Sequence, residues 1–454
     1  FIWSFTISNV LVTDCAAPYE EYIQRAVELG HNVISSVEHG YQGNYYVPYE
    51  LVQKHNAGLY HKVELGQLSE EEYKRKKLKF VFGAEAYWVK DRLAEYSKID
   101  KKTGEIVPGE YVKDRTNCHI ILLAKNEEGR RDINEILSIA SIDGFYGQPR
   151  IDIDLLLKVN PENVMVTTAC LKYWIYDDIE EITLKLFDHF GDNFFLEVQY
   201  HNTDIQKQIN RRIIDLHNKY GIKIILGCDS HYIYPEQYKE RDNYLEARGI
   251  TYDEDEKGWY MDYPDEPEAR RRLKEQAVLN AEEMNECISN TDIPLTFDDI
   301  VLDKNIKLPK NYLFNGEWVG EKSQEWRDST LRNLVYSKWN EIKNTVSDKR
   351  YEEYKQGIEY ELNAIIETKM SDYFLIDYEL VRIGVANGGI ITKTGRGSGV
   401  SYYINSLLGF SNIDRFISPV KLYPDRFISK TRILKTKSLP DLDLNLGTPE
   451  IFAD

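Results

Sequence analysis

Apolar and polar residues alternate along the first 235 residues with two distinct periods. Runs with apolar side chains three and four positions apart predict amphipathic helices, at about 19–30, 70–78, 127–142, 180–190 and 204–220. Short β-branched and aromatic runs predict strands, at 32–37, 80–82, 119–123, 164–166, 194–196 and 222–226. Because strands and helices alternate, we expect an α/β fold with a parallel sheet or barrel of βα units.

Longer helical patterns dominate the rest of the chain, at about 268–289, 326–345 and 351–369. An acidic, aromatic segment at 248–268 precedes them and reads as a surface connection. Proline and asparagine–glycine signals near 303–325 predict a linker. A chain of 454 residues exceeds one ordinary core, so we expect two or three domains. The assigned boundaries are 1–285 for the first domain and 286–454 for the second.

The C-terminal part contains a glycine-rich turn between a predicted strand and a predicted helix. The strand lies at 390–392, the turn is Gly395-Arg396-Gly397-Ser398-Gly399, and the helix runs to Leu408 and ends at Gly409. Glycines most often serve turn geometry. A turn of this composition can also offer backbone N–H groups and a hydroxyl to a phosphate.

A second motif follows, Pro440-Asp441-Leu442-Asp443-Leu444-Asn445-Leu446. On a strand, the two aspartates share one face and the leucines share the other, where they can anchor the strand on a core. Paired carboxylates suit two divalent cations about 4 Å apart, although an edge strand kept soluble by charge is the alternative. Together with the glycine-rich turn, this motif predicts a nucleotidyl-transfer site.

Composition describes a globular protein with 42% hydrophobic and 29% charged residues. No apolar run approaches the roughly 20 residues needed to cross a membrane, and no signal peptide is recognisable. The five cysteines are odd in number and form no CxxC pair. That usage favours reduced thiols, so we expect a cytoplasmic protein.

The net charge of −18 argues against indiscriminate binding to a polyanion, but one segment reverses it. Between 390 and 440 there are nine positive and two negative residues, which gives 9 − 2 = +7. The positive residues are Lys393, Arg396, Arg415, Lys421, Arg426, Lys430, Arg432, Lys435 and Lys437. This basic segment predicts a nucleic-acid track, with a solvated lysine-rich loop as the alternative.

Ligand-capable side chains follow several predicted strands in the first domain. They are Glu38, His39, Glu85, His119, Cys170, Glu197, Asp229 and His231. In βα folds the chemistry collects at the carboxyl ends of the strands. Histidine, cysteine and carboxylate are metal ligands, and although each alone is more often structural, the set indicates a metal site.

These motifs, in this order, resemble the family C replicative DNA polymerases, which are the alpha subunit of bacterial DNA polymerase III and its phage relatives. The resemblance is most specific at Gly395-Arg396-Gly397-Ser398 and Pro440-Asp441-Leu442-Asp443. Further matches are Tyr373-Phe374-Leu375-Ile376, Leu407-Leu408-Gly409 and Asp425-Arg426-Phe427. Three upstream segments resemble the PHP (polymerase and histidinol phosphatase) domain: Leu123 to Gly129, Pro149-Arg150-Ile151-Asp152 and Asp229-Ser230-His231-Tyr232.

The resemblance implies a PHP-type distorted βα barrel, followed by an incomplete palm of the polymerase-beta-like nucleotidyltransferase type. It implies that Asp441 and Asp443 bind two Mg²⁺ ions, that Gly397 and Ser398 contact the triphosphate, and that Arg396 and Lys393 compensate its charge. It also implies a DNA-directed DNA polymerase whose partners are primer-template DNA, deoxynucleoside triphosphates, a sliding clamp and other replisome proteins. The expected location is the cytoplasm of a bacterium or of a phage-infected host.

The chain departs from the family pattern at the start of the PHP region. Trp3-Ser4-Phe5-Thr6 stands where the family has His-x-His, and Glu38-His39 replaces Asp-His. A degenerate metal site remains possible by residue type, with His39, Glu85, His119, Cys170, Asp229 and His231 as its ligands. We expect a structural PHP domain rather than a nuclease, and the eroded motif favours a phage source.

The family's third catalytic aspartate, thumb, fingers and clamp-docking segment would lie beyond Asp454. We therefore expect this chain alone not to polymerise. Two other functions stay open. One is a PHP-type metallophosphoesterase or exonuclease; the other is a non-catalytic replisome scaffold that uses the 33 tyrosines, a residue type enriched at interfaces.

Overall fold

The computed structural model describes residues 2–5, 17–43, 45–100, 102–116, 118–249, 259–303, 310, 313–392, 395–436 and 438–453. The chain forms two compact units, Phe1–Val301 and Leu302–Asp454. The assignment of domains to 1–285 and 286–454, with a linker near 303–325, stays a prediction.

A mixed sheet organises the first unit, as the α/β expectation requires. Its strands run in the order β1-β2-β3-β6-β8-β9-β10, and β7 pairs with β3. The strands are β1 (Ile2–Phe5), β2 (Val33–Ser36), β3 (Lys79–Trp88), β6 (Cys118–Ala124), β7 (Arg150–Ile151), β8 (Val164–Thr168), β9 (Phe194–Gln199) and β10 (Ile224–Gly227). A separate antiparallel hairpin consists of β4 (Tyr96–Ile99) and β5 (Ile106–Val112).

The expected parallel arrangement of βα units holds except at one strand. β6 is antiparallel to both of its neighbours, β3 and β8, whereas β1-β2-β3 and β8-β9-β10 are parallel runs. The β4–β5 hairpin separates β3 from β6 in the chain, so β6 enters the sheet in the opposite direction without a crossover helix. As a result β6 begins at the edge where β2 and β3 end.

Ten helices are described in the first unit. They are α1 (Tyr19–Leu29), α2 (Tyr46–Glu64), α3 (Glu70–Lys76), α4 (Glu127–Ile142), α5 (Ile153–Leu156), α6 (Ile179–Phe190), α7 (Asp204–Tyr220), α8 (Tyr238–Ala247), α9 (Glu266–Gln276) and α10 (Ala281–Ser289). The five predicted helices are confirmed as α1, α3, α4, α6 and α7. Side-chain caps begin three of them, because Ser69 accepts from Glu72 N, Asn126 accepts from Gly129 N and Thr203 accepts from Gln206 N.

The single long helix predicted at 268–289 is wrong, because two helices occupy that range. Ala277 adopts a left-handed conformation with φ of 56° and ends α9. Asn280 then caps α10 and forms a capping box with Glu283. The apolar period continues across the break, which is why the pattern alone did not reveal it.

One side chain from each successive strand fills the core of the sheet. The buried cluster includes Val33, Val81, Ile121, Met165, Phe195 and Ile225. Burial of side chains of this size stabilises the fold by roughly 1.5–3 kcal/mol each. A 3-10 segment, Asn290–Thr296, contacts β1, β2 and β10 and so connects the two edges of the sheet.

The second unit is mainly helical. Its elements are a hairpin of β11 (Leu313–Phe314) and β12 (Glu317–Trp318), and helices α11 (Gln324–Ile342), α12 (Asp348–Glu367), α13 (Ser371–Ala386), α14 (Tyr403–Leu407), α15 (Lys430–Thr436) and α16 (Pro449–Ala453). Its buried core is rich in aromatic residues, among them Trp339, Tyr354, Phe374, Tyr403 and Phe427. In the described part of the chain, every helix is too short or too polar to cross a bilayer.

The strands predicted at 390–392 and 440–446 are reduced to a single bridge. Ile391 pairs with Leu446, Thr392 N donates to Asn445 O at 2.8 Å, and Gly447 N donates to Ile390 O at 2.8 Å. Aspartates are unfavourable in strands, and the segment that carries them here is extended without a described ladder partner. Gly409 ends α14 with φ of 84°, which confirms the predicted terminator.

Candidate functional site

The glycine-rich turn and the aspartate segment meet in the second unit. Gly397 has φ of 69°, and a β-carbon at this residue would lie 1.9 Å from Asp443 Oδ2. A side chain at this residue would therefore displace the carboxylate, and the left-handed backbone independently favours glycine. Residues that are far apart in sequence thus form one surface.

Two charged groups of this surface also pair. Arg396 Nε lies 3.5 Å from Asp443 Oδ1, with the arginine 70% exposed and the aspartate 25% exposed. Ser398 begins a short 3-10 segment, and its carbonyl accepts a hydrogen bond from Ser401 Oγ at 2.7 Å. Lys393 lies outside the described residues. The turn therefore presents an exposed arginine beside a carboxylate.

The leucines hold the aspartate segment on the core, as the predicted division into two faces requires. Leu442 and Leu444 pack against the aromatic core, while Asp441 is exposed. Leu442 N donates to the Tyr373 hydroxyl at 3.2 Å. This backbone hydrogen bond ties the segment to α13 between the two aspartates.

Sequence reasoning missed the role of α13 at this surface. Burial raises the pKa of Tyr373 to about 12, with further contributions from Asp377 and the two aspartates of the segment. Burial also raises the pKa of Asp377 to about 6, and its Oδ2 has no hydrogen-bond partner among the described residues. The spacing of Tyr373 and Asp377, four residues apart on one helix face, was the available signal.

The structure pairs two positive charges of the predicted basic track with glutamates. Arg415 Nε pairs with the fully buried Glu361 Oε1 at 2.6 Å, so this arginine serves the core. Burial raises the pKa of Glu361 to about 7, and Arg415 opposes that shift. Lys430 pairs with Glu367, and Arg432 donates to Phe427 O at 3.0 Å.

Six of these cations are exposed among the described residues: Arg396, Lys421, Arg426, Lys430, Arg432 and Lys435. Of these, Lys430 is already paired with Glu367. The basic surface is therefore narrower than the count of +7 predicts. Each of the two predictions for this segment, a solvated lysine-rich loop and a nucleic-acid track, therefore fits one part of it.

In the first unit, three of the predicted ligands come together: His39, Glu85 and His119. Their ligand atoms all lie within 4.8 Å of one another. His119 Nδ1 is 2.7 Å from Glu85 Oε1, and His39 Nδ1 is 3.8 Å from Glu85 Oε2. The antiparallel direction of β6 makes this possible, because His119 stands at the beginning of that strand and Glu85 lies late in β3.

The three side chains fit a divalent metal ion. His119 Nε2 and His39 Nδ1 are buried and lack a hydrogen-bond partner among the described residues. A buried nitrogen without a hydrogen-bond partner destabilises the folded protein unless a ligand binds to it. Burial lowers the pKa of His119, but the charges of Glu85 and Cys170 outweigh it and hold that pKa well above its usual range. Imidazole nitrogen with carboxylate oxygen is a donor set that zinc and similar metals accept.

Among the described residues, this group does not include the other predicted ligands. Cys170 Sγ accepts a hydrogen bond from His119 N at 3.3 Å. Asp229 has φ of 46°, and its carboxylate Oδ1 is 3.7 Å from His231 Nδ1. The side chains of Trp3-Ser4-Phe5 and all of Thr6 lie outside the described residues, so the departure at the first motif stays a prediction.

Tyr87 is a neighbour of the histidine group that sequence reasoning missed. Its ring stacks on His39 at 5.6 Å and meets His119 edge-on at 5.2 Å between ring centroids. Tyr87 follows Glu85 by two positions on β3 and therefore shares its face. That period-two relation was the signal that could have identified it.

Comparisons with known proteins match both units. The PHP domain family matches residues 6–201, and the family described as the bacterial DNA polymerase III alpha NTPase domain matches residues 329–449. A solved amidohydrolase from Chromobacterium violaceum shares 11% identity over 51% of this chain and 87% of that one. Its TM-score of 0.31 is too low to support an argument about the site.

The chain is also similar to the DNA polymerase III alpha subunits of Aquifex aeolicus, Borreliella burgdorferi and Treponema pallidum, with identities of 26%, 27% and 25%. These similarities cover 95%, 84% and 98% of this chain but only 35%, 32% and 34% of those proteins. The chain thus spans about a third of the length of these relatives. With a PHP match followed by a polymerase III alpha NTPase match, the chain is similar to the family C DNA polymerase alpha subunits over this part of their length.

Proposed function

We propose that the protein carrying this chain is a template-directed DNA polymerase that adds deoxynucleotides to a primer 3′ end. In this proposal, residues 286–454 form the first segment of a polymerase-beta-like palm. The observation that carries it is the approach of Gly397 and Arg396 to Asp443. This contact brings a phosphate-binding type of turn and a pair of carboxylates to one solvent-facing surface.

Each residue of the surface has a role in the proposal. Asp441 and Asp443 would hold two Mg²⁺ ions, which supply neutralising charge for the triphosphate and acidify the primer hydroxyl. Gly397 and Ser398 would contact the triphosphate. Arg396 and Lys393 would offset its negative charge. Since Arg396 is mostly exposed, it can exchange its contact with Asp443 for a phosphate oxygen.

The proposal also gives roles to residues outside the two motifs. Tyr373 is a positioning residue in this proposal, because its hydroxyl holds the backbone of Leu442 between the aspartates. The exposed cations Lys421, Arg426 and Lys435 would contact the backbone of primer-template DNA. The sliding clamp and other replisome proteins are the proposed partners, and the cytoplasm is the proposed location.

Primer extension tests this proposal with the full-length protein that carries the chain. We expect Asp441→Asn/Asp443→Asn to abolish Mg²⁺-dependent extension while DNA binding persists. Asp425→Asn is the matched control, since Asp425 is an exposed aspartate of the same unit that accepts from Tyr360 Oη at 2.6 Å. Equal extension by the double variant, or none by the unaltered protein, would reject the polymerase and favour a scaffold.

The histidine group supports a second candidate, a PHP-type metallophosphoesterase or exonuclease. His39, Glu85 and His119 would hold the metal, with Cys170, Asp229 and His231 as further ligands, and a bound metal would supply an activated water. We prefer a structural role for the PHP domain over this second candidate, because Trp3 and Phe5 replace the first histidine pair. Release of nucleotides from a DNA 3′ end that is lost in Glu85→Gln but kept in the palm double variant would favour the nuclease.

A further inference from the structure

Cys118 and Cys170 face one another across two antiparallel strands. The β6–β8 ladder ends with Ile120 opposite Thr168. Continuing the same antiparallel register by two residues places residue 118, two before Ile120, opposite residue 170, two after Thr168. Opposed residues of an antiparallel pair have Cα atoms about 4.5–5.5 Å apart. That interval falls within the range of about 4.4–6.8 Å over which two cysteines can be bridged.

Contacts at the two thiols agree with this register. Burial raises the pKa of Cys118 and the neighbouring Cys170 thiol adds to that rise, whereas the Cys118 thiol lowers the pKa of Cys170. The Cys170 sulfur also accepts a hydrogen bond at 3.3 Å from the backbone N–H of His119, the residue that follows Cys118. The structure describes both residues as thiols rather than as a disulfide.

The two sulfurs differ in how far an oxidant can reach them. Cys118 is completely buried, whereas Cys170 is partly exposed two residues after the end of β8. A small oxidant such as hydrogen peroxide can therefore meet Cys170 first, with Cys118 already in contact behind it. Such a pairing of an accessible sulfur with a resolving cysteine is the arrangement that forms disulfides under oxidation.

We propose that Cys118 and Cys170 form a reversible intramolecular disulfide when the protein meets a peroxide. Cys170 attacks one peroxide oxygen, the O–O bond breaks, and the product is a sulfenic acid and one water. The Cys118 sulfur then attacks that sulfenic sulfur, the S–S bond forms, and the displaced hydroxide takes the Cys118 proton as a second water. Two thiols are thereby oxidised by two electrons, and one peroxide is reduced to two waters.

The disulfide has a local consequence that does not depend on the polymerase proposal. It ties the beginning of β6 to the segment after β8. It also places the Cys170 sulfur, which accepts the hydrogen bond from His119 N, in a covalent bond. The histidine group of His39, Glu85 and His119 thereby comes under redox control. Its affinity for a divalent cation is expected to change when the bond forms.

Peptide mapping of the unaltered protein tests the inference without any variant. The protein is treated with hydrogen peroxide, its remaining thiols are blocked with N-ethylmaleimide in denaturant, and it is digested without reductant. We expect a linked pair of peptides containing residues 118 and 170, lighter by two hydrogens and separated again by a phosphine reductant. Full alkylation of both cysteines, or links to other cysteines or to a second chain, would overturn the inference.

Two variants sharpen the result. Cys118→Ser removes the resolving thiol, so Cys170 should proceed to irreversible sulfinic acid. Cys287→Ser is the matched control, because Cys287 is equally buried but its thiol donates to Met284 O instead. The link should persist in the control at the level of the unaltered protein. Loss of the link in the control as well would count against a specific pair.

Discussion

The backbone of Gly397 lies so close to the carboxylate of Asp443 that a side chain at residue 397 would have no room. The hypothetical β-carbon lies 1.9 Å from Oδ2, well inside any allowed contact. The glycine therefore does more than permit a turn, because it also sets the position of the aspartate. From this relation the proposed nucleotidyl-transfer surface can be tested residue by residue.

Gly397→Ala should displace Asp443 and reduce primer extension by at least about tenfold, because catalytic geometry tolerates little misplacement. The positive φ should also cost about 1 kcal/mol of stability. Gly409→Ala is a matched control, since Gly409 has φ of 84° but no atom within 4 Å of a β-carbon. The two variants should lose similar stability, and only Gly397→Ala should lose activity. Equal losses of activity would show that backbone strain, not the carboxylate, is responsible.

Arg396→Gln should raise the KM for the nucleotide by about 10- to 100-fold, since hydrogen bonds to charged groups contribute about 1.5–3 kcal/mol. The folding free energy should change by less than about 0.5 kcal/mol, because exposed ion pairs contribute little. Steady-state kinetics and urea denaturation measure the two quantities. Arg426→Gln, at another exposed arginine of the basic segment, should leave the KM for the nucleotide near its original value.

His39→Asn should weaken the binding of Zn²⁺ or Mn²⁺ to the first unit by at least about tenfold, because it removes one nitrogen of the three-residue group. Isothermal titration calorimetry measures this change. His61→Asn is the control, since His61 also pairs with a glutamate, Glu64, at 3.2 Å but is 67% exposed on α2. Identical affinities in both variants would place the metal elsewhere.

Asp377 should make the second unit less stable as the pH rises. Its folded pKa of about 6 is above the ordinary value of 3.8, and burial is the cause. The stability that its proton contributes is therefore present below about pH 4 and lost as the pH rises through about 6. Relative to Asp377→Asn, the unaltered protein should lose about 2 kcal/mol over this window.

Urea denaturation across that pH range gives the difference between the two proteins. Glu352→Gln, at an exposed position of α12, is the control and should show no such pH-dependent difference. Parallel stability curves for the unaltered protein and Asp377→Asn would contradict the assignment.

Much of the fold followed from hydrophobic periodicity, because most strands and five helices of the first unit bury one regular face. The direction of β6 could not be predicted, since an apolar run such as Cys118–Ala124 has the same pattern in either direction. Helix α2 was missed because only Pro48, Tyr49 and Val52 are buried along it. Its polar length carries too weak a period to be recognised.

The candidate sites, like the fold, could be predicted from the sequence only in part. The types and spacing of Asp441, Asp443 and the glycine-rich turn identified the palm surface, because that chemistry is local in sequence. The contributions of Tyr373 and Asp377 depend on how α13 packs against the aspartate segment, and no local pattern reports such packing. The loss of Arg415 to a buried glutamate was hidden for the same reason.

Iron-directed cleavage of the backbone tests the central claim most directly, because Fe²⁺ can occupy oxygen-ligand sites and cuts the chain near where it binds. The full-length protein is loaded with primer-template DNA and nucleotide, and Fe²⁺ replaces Mg²⁺. The account predicts cuts near both 441–443 and 395–398, which disappear together in Asp441→Asn/Asp443→Asn. Cuts confined to the neighbourhoods of residues 39, 85 and 119, or cuts unchanged by the double variant, would contradict it.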